Sequence, residues 1–326
     1  MTATTPVPGK ERIREAARTV YQAMPATPQF SWPLLNQRTG IDLWIKHENH
    51  TALGNFKIRS ALAYLRRLLE SGAAPAAIAA ATRGNYGQAV AFAAAREGLR
   101  SIIYVPHGNS ASKNRAMRAL GATLVEYGDD FEDARRECVR RGEAEGWHVM
   151  PPFHPWLVEG TATYAWELLN AVPGLDAIYV PIGMGSGICG MCAARDALGL
   201  KVEIIGVVSQ HARSCLESFL RGELVESPVS TKLADGMACR SQDALAMEWI
   251  RHGVTRILAV TDEEVAAAMR VFYDDTHNLA EGAGAAGLAG VLQDAARLRG
   301  NRVATVLTGG NVDREVFAGV LSGALD

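Results

Sequence analysis

The sequence predicts an α/β protein built from two open, twisted, mostly parallel sheets with helices on both faces and a cleft between them. Three observations predict it. Short apolar runs alternate with helical stretches, the pattern of parallel strands joined by helical crossovers. The second half of the chain repeats the alternation of the first. At 326 residues, the chain exceeds one ordinary domain and can bury two cores.

Residues Ile13, Ala16, Ala17, Val20, Tyr21 and Met24 recur at helical spacing, and Pro25 and Pro28 stop that helix. A hairpin is expected next, with WPLLN and GIDLWIKHE flanking a turn at Arg38-Thr39-Gly40 and with Ile41, Leu43 and Ile45 on one buried face. Helix IRSALAYLRRLLESG closes at Gly72, and AAPAA reads as a hinge. Strands IAAAT, SIIYVP, ATLVEY and WHVM then enclose helices NYGQAVAFAAAREG, SASKNRAMRALG and DFEDARRECVRRGEAEG. In the second half DAIYVPI leads to helix GICGMCAARDALG, KVEIIGVV to ARSCLESFLRG, and RVATVLT to GGNVDREVFAGVL.

Composition limits the function classes. Apolar residues make up 48%, charged residues 21%, and the net charge is −2, so nothing in the charge balance attracts nucleic acid. The N-terminal stretch lacks the apolar core of a signal peptide and no apolar run approaches a membrane span, so a cytoplasmic protein is expected, with no membrane partner. Five scattered cysteines make no disulfide scaffold. Cys189 and Cys192 have C-x-x-C spacing but fall in the apolar first turns of a helix, where they read as packing. His47 and His50 follow a strand-like alternation and would not share a helical face, so no metal is expected.

Lys57 is the first candidate for chemistry. Flanked by Phe56 and Ile58, just after Gly54 and Asn55 and ahead of an apolar helix, it sits at a helix mouth. Burial there would lower its pKa and make a nucleophilic amine; the alternative is an ordinary surface lysine. The loop VPIGMGSGICG, residues 180–190, joins a strand to a helix and places Gly183, Gly185 and Gly187 at alternate positions. Its N–H groups can converge on a phosphate at the helix N-terminus, although a dinucleotide, a phosphosugar or a tight turn has the same signature. The next strand ends GVVSQHA, without the acidic residue a dinucleotide fold needs. The loop ATRGNYGQAV, residues 81–90, offers Thr82, Gly84, Asn85, Gly87 and Gln88 at another helix start, fit for a carboxylate or for simple capping. In VLTGGNVD, Thr308 ends a strand against two glycines, where its hydroxyl meets a ligand or caps the turn.

These elements, in this order, resemble the fold type II pyridoxal-phosphate enzymes, the tryptophan synthase β-like fold, and within them the serine/threonine dehydratase family. The resemblance rests on KHEN before Asn55-Phe56-Lys57-Ile58-Arg59-Ser60-Ala61, matching S-F-K-x-R-G-A, and on Thr82-Arg83-Gly84-Asn85-Tyr86-Gly87-Gln88, matching S-x-G-N-H-x-Q. It rests further on the loop Gly183-Met184-Gly185-Ser186-Gly187 and on Thr308-Gly309-Gly310-Asn311, with TKLADGMA and AEGAGAAGLA between them.

The resemblance implies a role for each matching residue. Lys57 would hold pyridoxal 5'-phosphate as a Schiff base and then remove the substrate's α-proton, with Phe56 packed near the ring. Asn85 would bond the cofactor's phenolic oxygen, while the backbone of Thr82, Arg83, Gly84, Asn85 and Tyr86 would grip the substrate carboxylate. Gly183, Met184, Gly185, Ser186 and Gly187 would bind the phosphate. Thr308 would leave the pyridine nitrogen unprotonated, a weaker electron sink that favours loss of a β-substituent. The implied cofactor-binding domain comprises residues 1–72 plus 153–326, and residues 73–152 form a small domain that closes over substrate, hinged near residues 72 and 152. A homodimer is implied, as is a monovalent cation held by carbonyls.

The implied reaction is β-elimination from an L-threo-β-hydroxy amino acid to a 2-oxo acid and ammonia; β-replacement, racemisation, or a binding module without chemistry would share the fold. Arg83 stands where racemases of the family carry serine, which argues against racemisation. Tyr86 replaces a common histidine, Gly282 replaces the proline after Glu281, and GVVSQHA lacks the acid that supports a divalent cation. Glu281 is placed near the cofactor without the role of base. Only thirteen residues follow VLTGGNVD, so a short catabolic enzyme is expected, of the subgroup that includes phenylserine dehydratases, with a bulky or aromatic β-substituent favoured over threonine and serine.

Overall fold

A computed structural model describes residues 6–325. Helix α1 (Lys10–Tyr21) buries Ile13, Ala16 and Val20 along one stripe. Strand β1 (Gln29–Ser31) pairs antiparallel with β2 (Asp42–His47), but the segment between them is not a hairpin turn. It is helix α2 (Pro33–Thr39), so WPLLN is no strand. Pro33 sits in the first helical turn, where its missing N–H has no partner to lose, and Gly40 ends the helix in the left-handed region at φ 69°.

Helix α3 (Lys57–Glu70) leads into the smaller sheet. There β3 (Ile78–Ala81), β4 (Ser101–Val105), β5 (Thr123–Glu126) and β6 (His148–Val149) alternate with α4 (Asn85–Arg96), α5 (Ala111–Ala119) and α6 (Phe131–Glu145). All four strands are parallel, in the order β5-β4-β3-β6. Helix α7 (Pro155–Ala171) returns to the larger sheet, followed by β7 (Ala177–Pro181), α8 (Ser186–Ala197), β8 (Glu203–Ser209), α9 (Ser214–Arg221) and α10 (Ala244–Gly253). The chain ends with β9 (Arg256–Val260), α11 (Asp262–Thr276), α12 (Gly282–Asp294), β10 (Arg302–Leu307) and α13 (Arg314–Ser322).

The six-stranded sheet has the order β1-β2-β10-β7-β8-β9, parallel except for β1. Its central strands read as continuous apolar runs because both faces are covered: α7 and α8 contribute to one core, α11 and α12 to the other. The smaller sheet packs α3 and α4 on one face and α6 on the other. Six elements, β1, α7, α10, β9, α11 and α12, lie beyond the sequence expectations. Helix α12, GAGAAGLAGVLQD, shows why: it is buried almost all round, so no amphipathic period marks it.

Among the described residues, no helix is long and apolar enough to cross a membrane, and no three His, Cys, Asp or Glu side chains gather as metal ligands. Cys189 and Cys192 are buried in α8, and burial pushes the Cys192 thiol up to about 12. His47 ends β2 and His50 lies in a 3-10 turn (Glu48–His50), their rings stacked at 4.9 Å.

Candidate active site

Lys57 is the first residue of α3, and the segment before it is lashed to the loop after β10. Phe56 N–H donates to the Thr308 carbonyl at 3.0 Å, Gly310 N–H to the Gly54 carbonyl at 2.9 Å, and Asn55 forms an isolated bridge with Gly309. Asn55 Oδ1 accepts the Lys57 N–H at 3.0 Å. Two sequence-distant glycine-bearing loops thus meet just ahead of Lys57.

The amine lies 3.3 Å from Ser186 Oγ at the start of α8, 4.7 Å from the centre of the Phe56 ring and 6.0 Å from that of Tyr86. Burial lowers its pKa to about 8, partly opposed by Cys239. An amine in that range is deprotonated far more readily at neutral pH than an exposed lysine. The residue as a whole is half-buried.

The glycine loop is shaped for an anion. Gly183 packs its Cα against backbone, where a Cβ would fall 2.5 Å from the Gly236 carbonyl oxygen, and Gly185 takes φ 95°. Among the described residues, the N–H groups of Gly185, Ser186 and Gly187 have no backbone acceptor, as expected for the first turn of a helix. Tyr164 donates to the Gly187 carbonyl at 2.9 Å and Thr161 to the Ser186 carbonyl at 2.7 Å, so α7 fixes the mouth of α8 from behind. A Cβ on Gly187 would lie 3.7 Å from the Phe56 ring, which brings this loop against the lysine segment. Met184 is half-buried in the same loop.

On the other side, the loop after β3 spends its first donors internally. Thr82 Oγ1 accepts from Gly84 N–H at 2.9 Å and Gly87 N–H at 3.3 Å, a side-chain turn ahead of α4, whose N-cap residue is Gly84 without a side-chain cap. Arg83 is exposed, and Tyr86 closes one wall, its hydroxyl donating to the Pro151 carbonyl at 2.7 Å. Asn85 heads α4: its Nδ2 donates to Glu281 Oε1 at 2.5 Å and its Oδ1 accepts from Asn311 Nδ2 at 2.9 Å. Thr308 is buried, its hydroxyl 3.5 Å from the Ala283 carbonyl.

Beneath the site lies a buried ion network. Arg59, two residues beyond Lys57, bonds Glu48 at 2.7 and 3.0 Å and Glu167 at 2.7 and 2.9 Å, and Lys46 joins Glu167 at 2.6 Å. Two cations and two carboxylates balance. Burial alone would raise Glu167, but Arg59 and Lys46 hold it below the usual carboxylate range. Sequence reasoning did not single out this network, nor Lys113, Asp235 and Cys239 near the cleft, because their partners lie far along the chain.

The fold and site define a class: an α/β enzyme whose cleft pairs an amine of lowered pKa with a backbone cradle for an anion. The donor set fits pyridoxal phosphate, with Lys57 for its aldehyde carbon and residues 183–187 for its phosphate; beside Asn85, buried Glu281 Oε2 has no hydrogen-bond partner and lies 3.8 Å from the Lys113 ammonium. The chain belongs to the pyridoxal-phosphate dependent enzyme family, whose model matches residues 20–309. It is 32% identical over 316 residues to the L-threonine ammonia-lyase of Thermotoga maritima, covering 97% of this chain and 78% of that one. Identity to the L-threo-3-hydroxyaspartate ammonia-lyase of Saccharomyces cerevisiae is 31% over 322 residues, 98% of each chain. The structure of maize serine racemase superposes with a TM-score of 0.90 at 26% identity, covering 98% of both chains.

Proposed function

We propose that this pyridoxal-phosphate-dependent enzyme is an ammonia-lyase that converts an L-threo-β-hydroxy amino acid to a 2-oxo acid and ammonia. The observation that carries the reading is the placement of Lys57 Nζ, with its lowered pKa, 3.3 Å from the hydroxyl that opens the anion cradle. Bound pyridoxal phosphate supplies the electron sink that makes the substrate's α-proton acidic. The Lys57 amine takes that proton from the α-carbon, the β-carbon loses its hydroxyl, and one molecule of water leaves. Hydrolysis of the nitrogen-bearing product consumes one water and releases ammonia.

The other residues hold and orient. Ser186 and the N–H groups of residues 183–187 bind phosphate, Phe56 packs against the ring and Asn85 contacts its phenolic oxygen. Within residues 82–86, the backbone donors not already bonded inside the protein, those of Arg83, Asn85 and Tyr86, take the substrate carboxylate. Thr308 brings no charge to the pyridine nitrogen, which favours elimination. The ammonia-lyase names of the bacterial and yeast relatives support the reaction class. The aromatic wall at Tyr86 supports a bulky or aromatic β-substituent over the methyl of threonine or the hydrogen of serine. Residues 73–152 close over the substrate against residues 1–72 plus 153–326, hinged near 72 and 152, in a cytoplasmic homodimer that takes a monovalent cation on carbonyls.

The test is 2-oxo acid release by the holoenzyme from L-threonine, L-serine and L-threo-phenylserine. Fastest turnover of phenylserine is expected. Product only when a second nucleophile is added would replace the reading by β-replacement. Racemisation, suggested by the likeness to maize serine racemase, would appear as D-amino acid without 2-oxo acid.

A further inference from the structure

Lys113 carries no role in the chemistry above, yet its ammonium lies within ion-pair distance of Glu281, the partner of Asn85. It is 7% exposed on α5, and its stem lies against the carboxylate loop, where a Cβ on Gly84 would fall 2.4 Å from Lys113 Cδ. Its ammonium meets Asp235 Oδ2 at 2.5 Å and Glu281 Oε2 at 3.8 Å. Glu281 is 4% exposed, and its other oxygen is the acceptor that fixes Asn85. Because Asn311 donates to Asn85 Oδ1, the amide nitrogen must face Glu281, and only an acceptor there completes the arrangement. A protonated Glu281 would offer Asn85 only a neutral carboxyl oxygen, a weaker acceptor than the carboxylate.

We propose that Lys113 is a positioning residue: its ammonium keeps Glu281 a carboxylate, and that carboxylate fixes the Asn85 amide toward the cofactor. The inference rests on the reading of Asn85 as a cofactor contact. The groups facing Glu281 are Lys113 from α5, Asp235 from the 3-10 turn Asp235–Met237, and the Asn85 amide from α4. Burial raises the Glu281 carboxyl to about 7, with Lys113 opposing the rise and Asp235 adding to it. The two neighbours therefore predict opposite displacements. Removing Lys113 raises the pH at which Glu281 ionises; removing the Asp235 charge lowers it.

The experiment is a pH titration of the visible cofactor absorbance, and of initial rate, in wild-type holoenzyme and in K113M, K113R, D235N, E281Q and K113M/E281Q. The acid limb in K113M is expected to move up by about one to three pH units, which for one unit is a loss of about fivefold in the ionised fraction at pH 7. K113R stays near wild type, D235N moves down, and E281Q removes the limb so that K113M adds nothing to it. A merely structural role would lower amplitude equally at every pH. An unmoved limb in K113M, or the same displacement in the E281Q background, overturns the proposal. Should K113M fail to fold in a thermal melt, the downward displacement in D235N decides. A spectral titration that behaves as expected in an enzyme without 2-oxo acid release supports this inference and refutes the ammonia-lyase reading instead.

Discussion

At Gly160, α7 packs directly against the backbone of the helix that carries Lys57. A Cβ at that position would lie 2.3 Å from the Arg59 carbonyl oxygen and 2.7 Å from Ser60 Cα. Both are backbone atoms, so no side chain can swing away. Non-bonded heavy atoms settle at about 3.5–4.0 Å, which requires α3 and α7 to part by roughly 1 Å in Gly160→Ala. Overpacking of this kind costs about 1–3 kcal/mol. The displaced segment begins two residues after Lys57, and a misplacement of about 1 Å at a reacting group lowers turnover by about 100-fold. We expect G160A to lower the Tm by a few degrees and kcat far more than the stability loss alone explains, measured by thermal denaturation and 2-oxo acid release. An unchanged Tm with unchanged kcat would refute the view that this helix contact sets the position of Lys57.

Three further outcomes follow from the same geometry. Arg59→Met leaves Glu48 and Glu167 buried without their guanidinium, and should cost about 3–5 kcal/mol in denaturant unfolding. Ser186→Ala removes the hydroxyl 3.3 Å from Lys57 and should weaken pyridoxal phosphate binding by about tenfold, read by equilibrium dialysis. Glu159 in α7 is buried, which pushes its carboxyl up to about 7, while Arg67 at 3.6 Å pulls it down. Its proton is held more tightly in the folded than in the unfolded chain, so its stabilisation is present below pH 4.5 and is lost as pH rises through about 7. Glu159→Gln should therefore raise the Tm at pH 8 and leave it nearly unchanged at pH 4.5; a rise at both would remove the carboxyl as the cause.

Much of the architecture was legible because its signals are local. The alternating runs after Gly72 mark β3 to β6, and the glycines at 183, 185 and 187 mark a strand-to-helix turn open to an anion. Lys57 was legible from its flanking residues, since Phe56 and Ile58 promise burial. Segment 33–39 misled because an apolar pentapeptide reads equally as strand; only Pro33 and Gly40 together favour a helix there. Lys113 was not legible, since SASKNRAMRALG is an ordinary amphipathic helix and its partners Asp235 and Glu281 reach it only through the tertiary fold. The charge of Arg59 is likewise explained only by Glu48 and Glu167 from two other elements.

The central claim is that Lys57, and no other lysine, carries the cofactor. Borohydride reduction of the holoenzyme followed by peptide mass spectrometry tests it most directly. A pyridoxyl-phosphate adduct is expected on the peptide containing Lys57, absent from K57A together with the visible absorbance. An adduct on Lys46 or Lys113, or no adduct after reconstitution with pyridoxal phosphate, would contradict it.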